Sequence, residues 1–230
     1  MNNVFTRNDS QSSLNEFLGK TYGFMGLAVF ISALSAYATL KFYPALAVNV
    51  RFAWLSFAIS LIIAFTFNKA AVRNASTGML MMVIFSAIEG ISLSSLAFAY
   101  TGSTITGAFI CASAIFIGMA FLGATTKMDL TKLSTYLFVG LIGIIIVSLV
   151  NILLLKSSGV SFILPIVSVI IFTGYTAYDA QNASRSYYQL NSLGISENSM
   201  AIINAFNLYL DFDNLFIDLV QIFGTFSNNN

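Results

Sequence analysis

The chain has 230 residues, 57% of them hydrophobic and only 8% charged, against about 25% charged in an ordinary soluble domain. A mean hydropathy of +0.84 and a net charge of +1 without any basic run exclude a soluble globular domain, and with it nucleic acid as a partner. Histidine is absent, which excludes a Ser–His or Cys–His catalytic pair and removes the commonest zinc ligand and proton shuttle. From the N-terminus, residues 1–20 are polar and of mixed charge. They lack the basic segment, short apolar core and small-residue site of a cleaved signal peptide, and predict a short tail before an uncleaved span. Apolar stretches follow at about 21–40, 52–68, 79–99, 105–124, 135–154, 160–182 and 200–223. Each is near the ~20 helical residues that cross a ~30 Å hydrocarbon layer, and the second extends into its flanks. The runs are continuously apolar rather than alternating, so helices are expected and not barrel strands.

The predicted fold is therefore all-α: a single seven-helix transmembrane domain over 21–224, with a polar C-terminal tail at 225–230. The connections at 41–51, 68–78, 100–104, 125–134, 155–159 and 182–199 are short and polar. With seven spans, one side holds Arg7, Lys20, Lys69, Arg73, Lys127, Lys132 and Arg185, and the other holds Lys41, Arg51 and Lys156. Seven against three places the N-terminus in the cytoplasm and the C-terminus outside. Cys111 is the single cysteine and falls inside a span, so no intramolecular disulfide forms. Pro165 lies near the expected start of the sixth span, where a missing backbone donor costs little.

Acidic residues inside the spans carry the chemistry, because a carboxylate at membrane depth is costly and is retained where it binds or relays something. Asp179 lies in TGYTAYDAQ (173–181) and Asp211 in NLYLDFDNLF (207–216). On a helical wheel, Asn204, Asn207, Asp211, Asn214, Asp218 and Gln221 occupy about a third of the circumference, a stripe running ~26 Å along the last span. Such a helix belongs at the centre of the bundle, its stripe turned toward other spans or a watery cavity. The plainer reading of the stripe is interhelical hydrogen bonding that glues the bundle. Asp213 lies on the opposite side of the wheel from Asp211 and cannot serve the same site. Asp179 and Asp211 sit at loosely matching depths. Two like charges 4 Å apart repel by ~4 kcal/mol at an effective dielectric of 20, so in contact they would share a proton and titrate as one unit. Deprotonated, they offer hard oxygen ligands suited to Ca²⁺. Glu89, in FSAIEGISLSSL (85–96), is a third intramembrane acid beside Ser92, Ser94 and Ser95. Its plainer reading is a protonated Glu at a helix–helix contact. Neutralising cations are sought among protons, metal ions and the boundary residues Lys69, Arg73 and Arg185.

TGYTAYDAQ at 173–181 and LYLDFDNLFIDLVQIFG at 208–224, with EGISL at 89–93 and seven spans, resemble the Bax inhibitor-1 family of small membrane proteins. The resemblance covers essentially the whole hydrophobic chain. It implies a seven-helix fold with the last helix central, and a pH-sensitive calcium leak controlled by a di-aspartyl pair matching Asp179 and Asp211. Glu89 matches the family's acidic position in the third span, whereas Asp213 stands where the family more often has an apolar residue.

The expected function is a passive, pH-gated leak for Ca²⁺, not an enzyme, with Asp179 and Asp211 as sensor, gate and transient Ca²⁺ ligands. Glu89, Asn207, Asn214 and Asp218 are candidates for the ion path. No cofactor is expected, and the partners are the lipid bilayer, Ca²⁺ and protons. A proton-coupled cation exchanger and a non-conducting regulatory membrane protein are the alternatives. An intramembrane aspartyl protease fits Tyr178–Asp179 but lacks Gly-x-Gly-Asp before the second aspartate and a Pro-Ala-Leu segment.

Overall fold

A computed structural model describes residues 2–227. It is all-α: α1 (Asn2–Phe42), α2 (Pro44–Ala47), α3 (Val50–Arg73), α4 (Ala75–Leu93), α5 (Leu96–Ala99), α6 (Gly102–Thr125), α7 (Thr131–Val150), a π turn (Asn151–Leu155), α8 (Ser158–Leu193) and α9 (Glu197–Ser227). Among the described residues, six stretches are long and apolar enough to cross a membrane: Ser12–Phe42, Val50–Arg73, Ala75–Ala99, Gly102–Thr125, Thr131–Leu155 and Ser158–Leu190. The protein is thus an all-α polytopic membrane protein. Helix α9 has the length, ~46 Å at 1.5 Å per residue, but Asp211, Asp213 and Asp218 lower its hydropathy. Residues 228–230 of the expected C-terminal tail lie outside the described residues, and 225–227 complete α9.

The polar links are shorter than the sequence suggests, because polar residues beyond the apolar runs continue the helices. Between α3 and α4 the whole connection is Asn74, extended at φ −155° and ψ 118°, whose Oδ1 accepts from the Ser76 N–H. This is an N-cap, in which the side chain replaces a missing helical acceptor. Asn49 caps α3 likewise, accepting from the N–H groups of Arg51 and Phe52. Helix α8 runs on through the polar segment to Leu193 and ends at Gly194, whose φ of +64° favours glycine. Ser196 then accepts from the Ser199 N–H to open α9. The third apolar run breaks at Ser94 and Ser95, whose hydroxyls donate to the carbonyls of Ile91 and Ser92, a local competition with the helical ladder. Pro165 is not at a helix start but seven residues inside α8. It cannot donate to the Ser161 carbonyl, the helical partner of position 165.

The chain forms two compact units, residues 1–98 with 182–209, and residues 99–181 with 210–230. In the first, α4 packs against both α1 and α3. Its core includes Phe67 stacked on Phe206 with ring centroids 3.8 Å apart, and Phe85 edge-on to Phe206 and Tyr209. The Tyr209 hydroxyl meets Ser32 Oγ at 2.8 Å, and Ser32 in turn donates to the carbonyls of Ala28 and Ser86. Lys20 of α1 bridges Glu197 at 2.9 Å near the start of α9. In the second unit, Phe109 and Phe116 of α6 stand edge-on to Phe212, and Phe109 also to Phe216.

Both units contain helix pairs that meet backbone to backbone. A Cβ on Gly90 would stand inside the main chain of Ser32, and one on Gly123 inside that of Ala177. Association without a solvent-driven hydrophobic effect rests on such close packing of small residues. We expect Gly90→Ala and Gly123→Ala each to cost about 1–3 kcal/mol, read as a lowered unfolding temperature in detergent. Gly143→Ala, where nothing lies within 4 Å of the new atom, should leave that temperature unchanged or raised.

Candidate functional site

The segment carrying Asp179 is fixed on both sides. Two residues before it, Ala177 presses its backbone against Gly123 of α6. Two residues after it, the buried Gln181 side chain accepts from the Leu130 N–H at 3.0 Å and donates to the Met128 carbonyl at 2.7 Å. Gln181 thereby satisfies both main-chain groups of the link before α7. On α9, Asp211 is flanked by Phe212, held between Phe109 and Phe116, and by the fully buried Leu215 one turn on. These anchors aim the two carboxyls at each other.

The side chains of Asp179 and Asp211 are hydrogen-bonded to one another. Asp211 is 4% exposed, and its Oδ2 is buried without a hydrogen-bond partner. Asp179 is half-buried. A hydrogen bond between two carboxyl groups requires one proton, since an ionised carboxylate only accepts. No group outside the pair donates to Asp211 Oδ2, and a buried carboxyl oxygen of that kind is costly unless a proton or cation meets it.

The rest of the polar stripe does not form a continuous lining. Asn204 is buried and donates to Ser186 Oγ at 2.8 Å. Asn214 turns back on its own helix, donating to the Leu210 carbonyl at 2.7 Å. Asp218 shares a cleft with Ser168 of α8, and its Oδ2 is buried without a partner. Asn207 and Gln221 are half-buried. Asp213, on the far side of α9, is buried at 8% exposure and engaged in an interaction of its own. Both flanks of this helix are therefore enclosed, not the polar stripe alone.

Glu89 accepts from Ser60 Oγ at 2.7 Å. It borders a cavity of about 270 Å³ that also exposes Ser56, Ser92 and Ser95. Ser92 donates to Ser56 Oγ at 3.0 Å, so the hydroxyls are partly paired among themselves. Lys69 and Arg73 are exposed on α3, whereas Arg185 is half-buried on α8 and engaged in an interaction of its own. The neighbours Ser60, Ser168 and Gln181 were not singled out in the sequence. Each is an ordinary polar residue whose importance comes only from the helix it faces. No group of three or more His, Cys, Asp or Glu side chains that could hold a metal ion occurs among the described residues. Two carboxyls can meet a partly hydrated Ca²⁺, which prefers six to eight oxygens, without enclosing it.

The family model described as "Inhibitor of apoptosis-promoting Bax1" matches residues 14–228. An uncharacterised protein of Borreliella burgdorferi is 38% identical over 223 residues, covering 94% of each chain. An uncharacterised membrane protein of Streptococcus pyogenes serotype M1 is 36% identical over 231 residues, covering 97% of this chain and 99% of its own. The Escherichia coli K12 inner membrane protein YbhL is 33% identical over 231 residues, covering 96% of this chain and 97% of its own.

The carboxyl pair makes a stability expectation. In Asp211→Asn the amide still donates to Asp179, so the unfolding temperature should stay close to that of the parent. Asp211→Leu strips Asp179 of its partner and should cost about 1–3 kcal/mol. Thermal unfolding of both variants in detergent near pH 7 checks the contrast.

Proposed function

The chain belongs to the Bax inhibitor-1 family, and on that footing we propose that it is a pH-sensitive passive cation leak, with Ca²⁺ the permeant ion. The observation that carries this reading is the hydrogen-bonded Asp179–Asp211 pair with its unpartnered, buried Oδ2. One proton holds the two carboxyls together, and its removal replaces a hydrogen bond by repulsion between like charges. The pair then either parts, loosening α8 from α9, or takes up a cation in the proton's place. Sensor, gate and transient Ca²⁺ ligand are thus the same two side chains.

The proposed frame has seven spans, α9 being the seventh and the central one. In its support, residues on every side of α9 are buried, among them Ala205, Phe206, Leu208, Asp211, Asp213, Leu215 and Val220. Glu89, Asn207, Asn214 and Asp218 are assigned to the ion path, and Lys69, Arg73 and Arg185 to counter-ions that set the sign of the pH response. The positive charges favour a cytoplasmic N-terminus and an external C-terminus. The bacterial inner membrane is the assigned location, supported by the printed name of the Escherichia coli relative.

In liposomes loaded with a calcium dye, the protein should pass Ca²⁺ with a midpoint in pH. Asp179→Asn or Asp211→Asn should move that midpoint by about one pH unit or more, since removing one charge removes the coupling. The double variant should show no midpoint at all. Equal flux and an unmoved midpoint in all three would overturn the assignment of the pair. Accumulation of Ca²⁺ against its gradient, driven by an imposed pH gradient, would identify an exchanger instead.

A further inference from the structure

The carboxylate of Asp218 belongs to a second, separate arrangement of oxygens. It lies seven residues beyond Asp211 on the same face of α9, ~10 Å along the helix. It borders a cleft of about 240 Å³ between the end of α7, the start of α8 and α9, where Ser148, Asn151, Ser161, Ser168 and Gln221 join it. The Asp218 Oδ2 is buried with no hydrogen-bond partner, and Ser168 lines the cleft beside the carboxylate. The neighbouring groups retain acceptor capacity. Asn151 spends its amide N–H groups on the Ser157 carbonyl and Ser161 Oγ, and its Oδ1 accepts only from the Ser157 N–H, leaving one lone pair. Pro165, which also lines the cleft, withholds the N–H that the Ser161 carbonyl would receive in a regular helix. The π turn at Asn151–Leu155 and the left-handed Lys156, φ 49°, bring Asn151 back beside Ser157 and Ser161.

Every donor atom there is a hard oxygen, with no imidazole and no thiolate, so the set suits an alkali or alkaline-earth cation rather than a transition metal. A single carboxylate balances a single positive charge. A divalent ion would keep an uncompensated charge in a site whose other walls are neutral hydroxyls, amides and the apolar side chains of Ile144, Ile152 and Leu164. The volume leaves room for several waters at ~30 Å³ each beside the ion. We propose that the Asp218 cleft is a binding site for a small monovalent metal cation, Na⁺ or K⁺, coordinated by Asp218, by hydroxyls and amides of the cleft, and by water. The site is independent of the role given to Asp179 and Asp211, and it makes Asp218 the ligand of a resident ion in place of a station on the Ca²⁺ path. It supplies the positive charge that the orphaned Asp218 oxygen lacks, and it ties α7, α8 and α9 together where the π turn and Pro165 interrupt their ladders.

Thermal unfolding of the full chain in detergent at about pH 8, titrated with NaCl or KCl against choline chloride at constant ionic strength, tests the site. A saturating rise in unfolding temperature of about 3 °C or more with Na⁺ or K⁺ is expected, and none with choline. Asp218→Asn should abolish the rise while folding at least as stably without salt, because it removes an unpaired buried charge. Gln221→Leu should weaken the apparent affinity about tenfold. The Asp179→Asn, Asp211→Asn double variant should keep the full response, which separates this site from the proposed sensor. A flat response to Na⁺ and K⁺, one shared by choline, one that survives Asp218→Asn, or one produced by CaCl₂ alone would overturn the proposal.

Discussion

A carboxyl group enclosed by apolar helices must be met by a proton, a donor or a cation, because nothing else in that medium offsets its charge. Helix α9 carries three such groups in eight residues, Asp211, Asp213 and Asp218, and each meets the requirement through a different neighbour. Asp211 is hydrogen-bonded to a second carboxyl, Asp218 faces the polar groups of its cleft, and Asp213 is engaged in an interaction of its own. The surrounding fold follows from keeping those neighbours within reach. Gly123 lets α6 close on α8 just ahead of Asp179, Gln181 fixes α8 just after it, and Phe109 and Phe116 grip Phe212 beside Asp211.

The two carboxyl sites on α9 differ in what could offset their charge. In the proposed function, two potential charges at Asp179 and Asp211 compete for one proton, which is the basis for a response to acidity. In the proposed cation site, one potential charge at Asp218 faces neutral oxygens in an open cleft, which is the basis for a response to salt. On those two proposals the responses sit on one helix, about two turns apart.

Much of this was legible in the sequence, and what was hidden shares one physical cause. Seven apolar runs stand out because lipid selects composition over a full span, six of them meeting that standard among the described residues, and Asp179 and Asp211 stand out because they violate it. The contacts that give those aspartates meaning are made across helices far apart in the chain. Gln181 reaches back 51 residues to Leu130, and Glu89 meets Ser60 at a separation of 29, and no periodicity encodes either pairing. The same applies in reverse to Asn214, which looks like part of a polar path on the wheel but hydrogen-bonds its own backbone. At 68–78 and 182–199 the polarity of the sequence suggests longer links than the structure has, because polarity alone does not distinguish a loop from an exposed helix end. Outside the hydrocarbon layer a polar helix is stable enough, and only Asn74 and Gly194 break it, by a side-chain cap in one case and a left-handed backbone in the other.

The glycine contacts have a mechanical corollary. Where Gly123 lies on Ala177 and Gly90 on Ser32, helix backbones are already in contact, so neither pair can draw closer and neither leaves room for a methyl group. The Gly123 contact ends two residues before Asp179, and Gln181 pins the chain two residues after it. Asp179 therefore rides on an immobilised stretch of α8, and a change in its distance to Asp211 has to come from the side chains or from α9.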